Sequence, residues 1–406
     1  MPTDRLRPLL AEHVRGLEEA GTAKGAEKVV VAVKPAERGR GPRFLLEGQG
    51  DREFLRMNSN SYLGMGLRPE VIAAEEEATR AFGAGPGAVR FISGTYRAHL
   101  ELEAELARFH GREAAMVFSS AYGAVLSTIV PLVTPETVLV SDQLNHNCII
   151  NAMRMSSPAR KGIYAHNDVA NLEAVLQVLK REGKRALVVT DGIFSMRGDH
   201  APLKEIMEVC ARYDADYPEN VVCIVDDSHG VGAFGLTGRG TEEHTGSRAD
   251  ILVGTLGKAF GVNGGYVAAS ADIVRFLRES SQMYIYSNPI TVGEAAAALV
   301  AVRIVAGPEG RVLLDRLRAL TRRFEAGLER IGIETIPGEH PVVPLMIRDT
   351  GKTRALVRHL FDRGVLVTGL TYPVVPKGDE EIRTQINADH TEGDIDYVLT
   401  QLESFA

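Results

Sequence analysis

A single lysine stands in a glycine-rich stretch that directly follows an apolar run. The run Ile251-Leu-Val253 predicts a buried strand, and Lys258 follows it within the segment Gly254–Gly261. In α/β folds the chemistry lies at strand ends, and the glycines allow tight turns and the close approach of a flat ligand. A lysine whose pKa is lowered in a partly dry pocket forms a Schiff base with an aldehyde, which indicates pyridoxal phosphate (PLP). Taken alone, the stretch fits a surface lysine in a glycine-rich loop equally well.

Two aspartates follow a second apolar run, upstream of the lysine. The run from Val221 to Val225 is typical of a parallel strand buried on both faces, and Asp226 and Asp227 end it. PLP withdraws electrons only while its pyridine nitrogen stays protonated, and a carboxylate at a strand end holds that proton, so Asp226 is the candidate. Metal binding and helix capping are the alternatives, but no nearby cluster completes a ligand set, and we expect no metal. His229 alone fits a structural histidine.

Three segments in order carry a resemblance to a known family. Val225-Asp-Asp-Ser-His-Gly-Val-Gly232, Gly238-Arg-Gly240 and Gly254-Thr-Leu-Gly-Lys-Ala-Phe-Gly-Val-Asn-Gly-Gly265 resemble the α-oxoamine synthases. These fold-type I PLP enzymes join an amino acid to an acyl thioester, and they include glycine C-acetyltransferase, 8-amino-7-oxononanoate synthase, 5-aminolevulinate synthase and serine palmitoyltransferase. The resemblance covers nearly the whole chain from about Asn58. Phe91, where aminolevulinate synthases carry asparagine, argues against succinyl-CoA.

The resemblance implies further site residues, each within a motif. Asn58–Gly66 resembles the signature Asn-x-Tyr-Leu-Gly, which places Asn60 near the amino-acid carboxylate. Arg383 lies in a segment similar to the ending Arg-x-x-x-x-Ala-x-His-Thr, and a guanidinium clamps a carboxylate through two parallel hydrogen bonds. The implied cofactor contacts are Ser120, Ala121 and Tyr122 at a helix start for the phosphate, His146 on the ring, Ser195 on its phenolic oxygen, and His229 and Thr255. Ordinary roles as turn residues, helix caps or buried histidines fit these positions too.

One more segment concerns the oligomeric state. Tyr284–Thr291 resembles a segment that, in this family, crosses a dimer interface to the partner's phosphate, and Ser287 and Asn288 are then the contacts. The chain reads Asn-Pro-Ile-Thr where the family pattern continues as Ser-x-Pro-Pro, which leaves the identity of this phosphate ligand open. The resemblance therefore implies a homodimer with its active site at the subunit interface.

Alternating strand, turn and helix patterns extend to about residue 290, and these predict a large, doubly wound α/β domain with a mainly parallel sheet. A helix pair follows over roughly 294–331, and strands near 342–347 and 365–367 then predict a smaller C-terminal α/β domain. The predicted boundaries are 1–57 for an N-terminal arm, 58–292 for the large PLP-binding domain and 293–406 for the small domain. With the resemblance, this is the fold-type I PLP-dependent transferase fold.

Composition excludes several other classes. A net charge of −7 without a basic run argues against nucleic acid as a partner. The three cysteines, Cys148, Cys210 and Cys223, are too widely spaced for a disulfide framework or a zinc site. The start of the chain is charged, and no apolar run approaches the roughly 18 residues of a membrane span, so we expect a cytoplasmic protein.

The expected function is condensation of a small amino acid, glycine first, with an acyl-CoA to give an α-oxoamine. Lys258 would remove the α-proton, Asp226 would keep the ring electron-poor, and His146 and His229 would complete the catalytic set. CoA then leaves, and decarboxylation or product release follows. Alanine or serine with a longer acyl chain, on CoA or a carrier protein, stays open because amino-acid choice depends on contacts worth about 1–3 kcal/mol each. An aminotransferase and a structural subunit without PLP are the remaining alternatives, and Lys258 weighs against the latter.

Overall fold

Helices and strands alternate along most of the chain, which the computed structural model describes over residues 3–372 and 374–405. The strands are β1 (Val30–Lys34), β2 (Arg43–Leu46), β3 (Glu53–Arg56), β4 (Ala114–Phe118), β5 (Thr137–Asp142), β6 (Arg160–Tyr164), β7 (Arg185–Asp191), β8 (Val221–Asp226), β9 (Ile251–Thr255), β10 (Gly265–Ala269), β11 (Val342–Met346), β12 (Val365–Leu366), β13 (Thr368–Leu370) and β14 (Glu381–Gln385). The α-helices are α1 (Leu6–Glu19), α2 (Pro69–Phe82), α3 (Arg97–Phe109), α4 (Ala121–Leu132), α5 (Asn147–Met155), α6 (Val169–Leu179), α7 (Leu203–Tyr213), α8 (Thr241–Thr245), α9 (Ala271–Ser280), α10 (Gln282–Ile285), α11 (Val292–Ala306), α12 (Pro308–Arg330), α13 (Thr350–Asp362) and α14 (Glu392–Glu403).

A seven-stranded sheet forms the centre of the molecule, in the order β4-β10-β9-β8-β7-β5-β6. Strands β9, β8, β7, β5 and β6 pair in parallel, and β10 runs antiparallel between β4 and β9. The central strands read as continuous apolar runs because helices cover both faces of the sheet. The mainly parallel α/β sheet predicted from the sequence is therefore present, and the carboxyl ends of four neighbouring parallel strands meet at one edge.

Two smaller sheets lie outside the large one. Strands β11, β14 and β13 form an antiparallel sheet, and β14 is its central strand. The hairpin β2–β3 lies within the predicted N-terminal arm and pairs on one side with β1 and on the other with the C-terminal strand β12. Residues 43–56 therefore share a sheet with residues 365–366.

Helix packing links segments that are distant in the chain. The helix α11 packs against both α2 and α3, and α12 packs against α14. The helix α1 lies near the start of the chain, and its side chains are exposed along its whole length. The domain boundaries at 57 and 292 stay predictions. Within the described ranges, no helix has the length and apolar character needed to cross a membrane.

Candidate active site

One cavity of about 190 Å³ lies at the edge where β5, β7, β8 and β9 end. It brings together eight residues predicted from the sequence: Ala121, Tyr122, His146, Ser195, Asp226, His229, Thr255 and Lys258. Cys148, Asp191, Ile193 and Ser228 complete its lining. Parallel strands deliver their following loops to the same edge of a sheet, which explains why residues so far apart in sequence meet here.

Lys258 lies in the loop between β9 and β10, on the wall of the cavity. Burial lowers the pKa of its ammonium group to about 8, against the opposing charges of Asp226 and Asp191. A substantial fraction of the amine is therefore neutral, and nucleophilic, near physiological pH. Gly254 allows β9 and β10 to pack closely, because a Cβ there would lie 2.4 Å from the ring of Tyr266.

The two aspartates at the end of β8 face opposite directions. Asp226 faces the cavity, and its Oδ1 accepts hydrogen bonds from the amide (3.1 Å) and hydroxyl (2.6 Å) of Ser228. Asp227 is fully buried, and it accepts hydrogen bonds from the hydroxyl (2.7 Å) and amide (2.6 Å) of Thr241. Asp227 thus supports the loop before α8, while Asp226 is available to a ligand. Among residues 3–372 and 374–405, no three His, Cys, Asp or Glu side chains are grouped to hold a metal.

His146 lies directly before α5 and is held on two sides. Its backbone amide donates to Asp191 Oδ2 (2.9 Å), and its Nδ1 accepts from the amide of Cys148 (3.3 Å). Burial lowers the pKa of His146, so the ring is neutral with its proton on Nε2. Burial and the neighbouring charge of Asp226 raise the pKa of Asp191 well above its usual value. Asp191 and Asp226 stand opposite each other in the pairing of β7 with β8.

His229 is connected to the segment that carries Asn60. Its Nδ1 lies 2.7 Å from Tyr62 Oη, which in turn lies 3.4 Å from Asn60 Oδ1. His340 donates from Nε2 to the carbonyl of His229 (2.9 Å), because its Nδ1 already accepts from the amide of Val342. Burial lowers the pKa of His229 well below its usual value, so the ring is neutral. Asn60 itself lies beside this network and does not line the cavity.

The start of α4 forms part of the cavity wall and packs against Gly265, the first residue of β10. Ala121 and Tyr122 line the cavity, and amides at a helix start have no partner within the helix, which makes them anion donors. The hydroxyl of Ser120 accepts from the amide of Gly123 (3.0 Å), so it caps the helix rather than lining the cavity. Gly265 permits this close packing, because a Cβ there would lie 2.3 Å from the amide nitrogen of Ala121.

Arg383 lies beside the cavity, in β14 of the smaller antiparallel sheet, and does not line it. Its Nη1 donates to the carbonyl of Ser195 (3.1 Å), the predicted partner of the ring's phenolic oxygen. The side-chain oxygen of Gln385, two residues on in β14, accepts from Arg383 Nε (2.6 Å) and Nη2 (3.1 Å). The Gln385 amide nitrogen donates to the carbonyl of Met57 (3.1 Å), just before the Asn60 segment. Arg383 is therefore fixed from two sides and tied to the segment that carries Asn60.

The loop that carries Ser195 is anchored by an ion-paired histidine. His166 lies 3.2 Å from Asp142 Oδ1 and 3.0 Å from Asp199 Oδ2. Burial opposes protonation of His166, but hydrogen bonds and charge from the two carboxylates outweigh it and raise the pKa to about 9. The imidazolium therefore bridges the end of β5 to the loop after β7.

Ser287 and Asn288 do not join the cavity. They follow the short helix α10, where Ser287 is half-buried and Asn288 is exposed, and the Ser287 hydroxyl faces the Asn288 carbonyl (3.5 Å). Within one chain these two residues therefore contact none of the other predicted site residues. Their predicted role depends on a second copy.

Sequence reasoning missed several residues that shape the site. Asp191 ends β7 as Asp226 ends β8, so its place at the end of an apolar run was a usable signal. Cys148 stands two positions after His146, and Tyr62 lies inside the signature that named Asn60. The contact of His340 with His229 had no signal in the sequence, because His229 lies in the turn after β8 and His340 lies just before β11, 111 residues further along the chain.

These groups fit PLP. A buried amine suits an aldehyde, a carboxylate at the end of β8 suits a protonated ring nitrogen, and a helix start behind Gly265 suits a phosphate. Neutral His146 offers a flat aromatic face to the ring. The cavity thus supplies one group for each part of the cofactor.

A model of the aminotransferase class I and II family matches residues 52–402, and the chain belongs to that family. Its relatives and its fold define the branch more narrowly. The chain is an α-oxoamine synthase, a fold-type I enzyme that uses PLP to join an amino acid to an acyl thioester. The family, fold class, cofactor and type of reaction predicted from the sequence are confirmed.

Two curated relatives illustrate the range of the branch. The chain is 38% identical over 395 residues to the mitochondrial 2-amino-3-ketobutyrate coenzyme A ligase of Homo sapiens, covering 97% of this chain and 90% of that protein. It is 36% identical over 373 residues to the 8-amino-7-oxononanoate synthase of Thermosipho melanesiensis, covering 91% of this chain and 92% of that protein. Among solved structures, the serine palmitoyltransferase of Sphingomonas wittichii gives a TM-score of 0.88 at 28% identity, over 99% of this chain and 97% of that one. A serine palmitoyltransferase solved with PLP gives a TM-score of 0.86 at 28% identity, over 99% of this chain and 98% of that one.

Proposed function

We propose that the enzyme condenses glycine with a short-chain acyl-CoA to give an α-oxoamine and free CoA. The observation that carries the chemistry is the single cavity in which Lys258 and Asp226 meet, with Arg383 held at its side. Glycine and a short acyl group are favoured by the likeness to the human ligase over 97% of the chain. Each residue then has a role that follows from its surroundings.

Lys258 is the base of the reaction. Its pKa near 8 leaves enough neutral amine at physiological pH to bind the cofactor aldehyde and later to take the α-proton of the amino acid. Bound PLP supplies an electron sink for the negative charge left at the α-carbon. Asp226, oriented by two hydrogen bonds from Ser228, holds the proton on the ring nitrogen. His146 would pack on the ring of bound PLP, and the amides of Ala121 and Tyr122 would hold its phosphate.

The amino-acid carboxylate is assigned to Arg383 and Asn60. Gln385 and the carbonyl of Ser195 hold the guanidinium in place, so little side-chain entropy is lost when it binds a carboxylate. Asn60 lies next to the Tyr62–His229 pair, and neutral His229 supplies a ring nitrogen for hydrogen bonding to substrate or to the phenolic oxygen of the cofactor. Thr255 closes the floor at the end of β9.

A homodimer completes the site in this proposal. Ser287 and Asn288 lie away from the cavity of their own chain, and Tyr286 beside them is 79% exposed. Phe91 and Ile92 are each 67% exposed. Large exposed apolar side chains of this kind favour burial against another protein surface. In this proposal Ser287 and Asn288 reach the phosphate bound by the partner subunit. The cytoplasmic location expected from the sequence stays a prediction.

The test follows the visible spectrum of the PLP-loaded enzyme while glycine, L-alanine and L-serine are added one at a time. Acetyl-CoA or a longer acyl-CoA is then added, and free thiol and CO2 are measured. A spectral change with glycine, followed by thiol release only after acetyl-CoA, is the expected result. Lys258→Ala is the control, because it removes the base and should release no thiol.

Alanine or serine with a longer acyl chain is the second candidate. It is favoured by the 36% identity to 8-amino-7-oxononanoate synthase and by the structural likeness to serine palmitoyltransferases. In the same assay it predicts thiol release with L-alanine or L-serine and a long acyl thioester, on CoA or a carrier protein, and little with glycine. A spectrum that bleaches with an amino acid alone and returns with a keto acid would instead identify an aminotransferase.

A further inference from the structure

Cys148 lies between the two residues assigned to the cofactor ring. Its Sγ is 2.9 Å from His146 Nδ1 and 3.6 Å from Asp226 Oδ2, and the side chain lines the cavity although the residue is only 2% exposed. Cys210 and Cys223 lie in the hydrophobic core instead. The position of Cys148 therefore differs in kind from that of the other two thiols.

Both neighbours of the sulfur are hydrogen-bond acceptors. His146 Nδ1 accepts from the backbone amide of Cys148, so this nitrogen carries no proton, and the Asp226 carboxylate has only lone pairs to offer. A thiolate between them would face two electron pairs without a donor. Burial and the negative charge of Asp226 accordingly raise the pKa of the thiol far above its usual value. The sulfur keeps its proton and acts as a donor.

We propose that Cys148 is a positioning residue, whose thiol proton is shared between His146 and Asp226 and holds both against the cofactor ring. The inference rests on the proposed function, since it requires these two residues to contact PLP. A hydrogen bond from the thiol fixes the position of Asp226 Oδ2 and lowers its basicity, so its loss changes both the placement of the carboxylate and the proton affinity of the ring nitrogen. Without the thiol, His146 and Asp226 each lose the partner that links them.

The test uses the full chain prepared without PLP and then titrated with it. Cys148→Ala should weaken PLP binding by about 2- to 10-fold, the loss expected for one neutral hydrogen bond. It should also shift the pH midpoint at which the visible absorbance of the bound cofactor changes. Cys148→Ser restores a donor of similar size and should stay within about twofold of the wild type. Cys210→Ala, a buried thiol of the core, is the matched control and should change neither quantity.

The outcomes separate the two proposals. If the wild type binds no PLP, the proposed function fails. If the wild type binds PLP but Cys148→Ala matches it in affinity and in pH midpoint, or if Cys148→Ser behaves like Cys148→Ala, only the role of Cys148 is overturned. Should the alanine variant not fold, Cys148→Val fills the same space without a donor and is read by the same criteria.

Discussion

Replacing Asp226 and Asp227 by asparagine, one at a time, should separate function from stability at adjacent positions. Asp226 faces the cavity, whereas Asp227 is fully buried against Thr241. We expect Asp226→Asn to lose activity while it stays folded, and Asp227→Asn to lose stability first. The two variants make the same chemical change and serve as controls for each other.

The magnitudes follow from the hydrogen bonds. Asp227 accepts from the amide and hydroxyl of Thr241 with different oxygens, so the NH2 of an asparagine faces either the amide, which cannot accept, or the hydroxyl, whose proton then loses its acceptor. The lost bond and the unsatisfied buried donor should lower the free energy of unfolding by about 1–3 kcal/mol. In Asp226→Asn the remaining oxygen still accepts from Ser228, and the NH2 faces the sulfur of Cys148, so the loss should stay below about 1 kcal/mol.

Activity should change in the opposite order. A hydrogen bond from the ring nitrogen to a charged partner is worth about 1.5–3 kcal/mol, so Asp226→Asn should lower kcat by about 10- to 100-fold. Urea unfolding of the PLP-free variants at neutral pH gives stability, and thiol release with saturating substrates gives kcat. Asp227→Asn should lose activity only in proportion to its unfolded fraction. A wild-type kcat in Asp226→Asn would refute the role of Asp226 in the cavity. A wild-type free energy of unfolding in Asp227→Asn would refute the structural role of Asp227.

Other predictions concern the lysine, the arginine and the helix start. Because the folded pKa of Lys258 lies near 8 and its unfolded value near 10.5, the buried charge destabilises the PLP-free protein below about pH 8, and stability recovers as pH rises toward 10.5. Lys258→Met should therefore raise the free energy of unfolding in urea at about pH 7, and less so at about pH 10. Gln385→Leu frees Arg383 and should raise KM for the amino acid about 2- to 10-fold in steady-state kinetics, leaving KM for the thioester unchanged. Equal changes in both would contradict this role. Gly265→Ala should weaken PLP binding at least about 10-fold, because the added methyl group should cost more than about 1.4 kcal/mol. Fluorescence titration measures this affinity. Gly257→Ala is the control, because the nearest atom to a Cβ at Gly257 would be Thr255 Oγ1 at 3.5 Å, an ordinary van der Waals contact.

The elements around the large sheet were readable because buried parallel strands are continuous apolar runs. The runs ending at Val225 and Val253 are strands β8 and β9, and the polar residues that end them line the cavity. Side chains alternate along a strand, so one of two consecutive aspartates had to face away from the cavity. Spacing alone shows the pair but not which member faces inward, since that depends on the sheet's neighbours.

Residues assigned through long-range contacts were harder to place. The serine at the start of α4 fits two roles in sequence, phosphate ligand and helix cap, and only the hydrogen bond from Gly123 to Ser120 Oγ shows that it caps. His340, just before β11, meets His229 in the turn after β8, and no local sequence pattern carries such a contact. Nothing in the sequence distinguishes Gln385 from other strand residues. Its role is evident only from the structure, in which Arg383 and Met57 lie on either side of its side-chain amide.

Two separate sets of elements build the site, and the separation bears on specificity. The ends of β5, β7, β8 and β9 supply the groups for the cofactor, and they sit in one rigid sheet. In the proposed function, Arg383 and Asn60 bind the amino acid from outside that sheet, and Gln385 ties the two segments to each other through Met57. A substitution in the second set can therefore change which amino acid the enzyme accepts without changing how it binds the cofactor. This arrangement is consistent with one fold serving different substrates, since the chain matches a serine palmitoyltransferase at a TM-score of 0.88 and is 36–38% identical to an 8-amino-7-oxononanoate synthase and a 2-amino-3-ketobutyrate coenzyme A ligase. Substrate choice should accordingly respond to substitutions beside Arg383 and Asn60, and cofactor affinity to those at the strand ends.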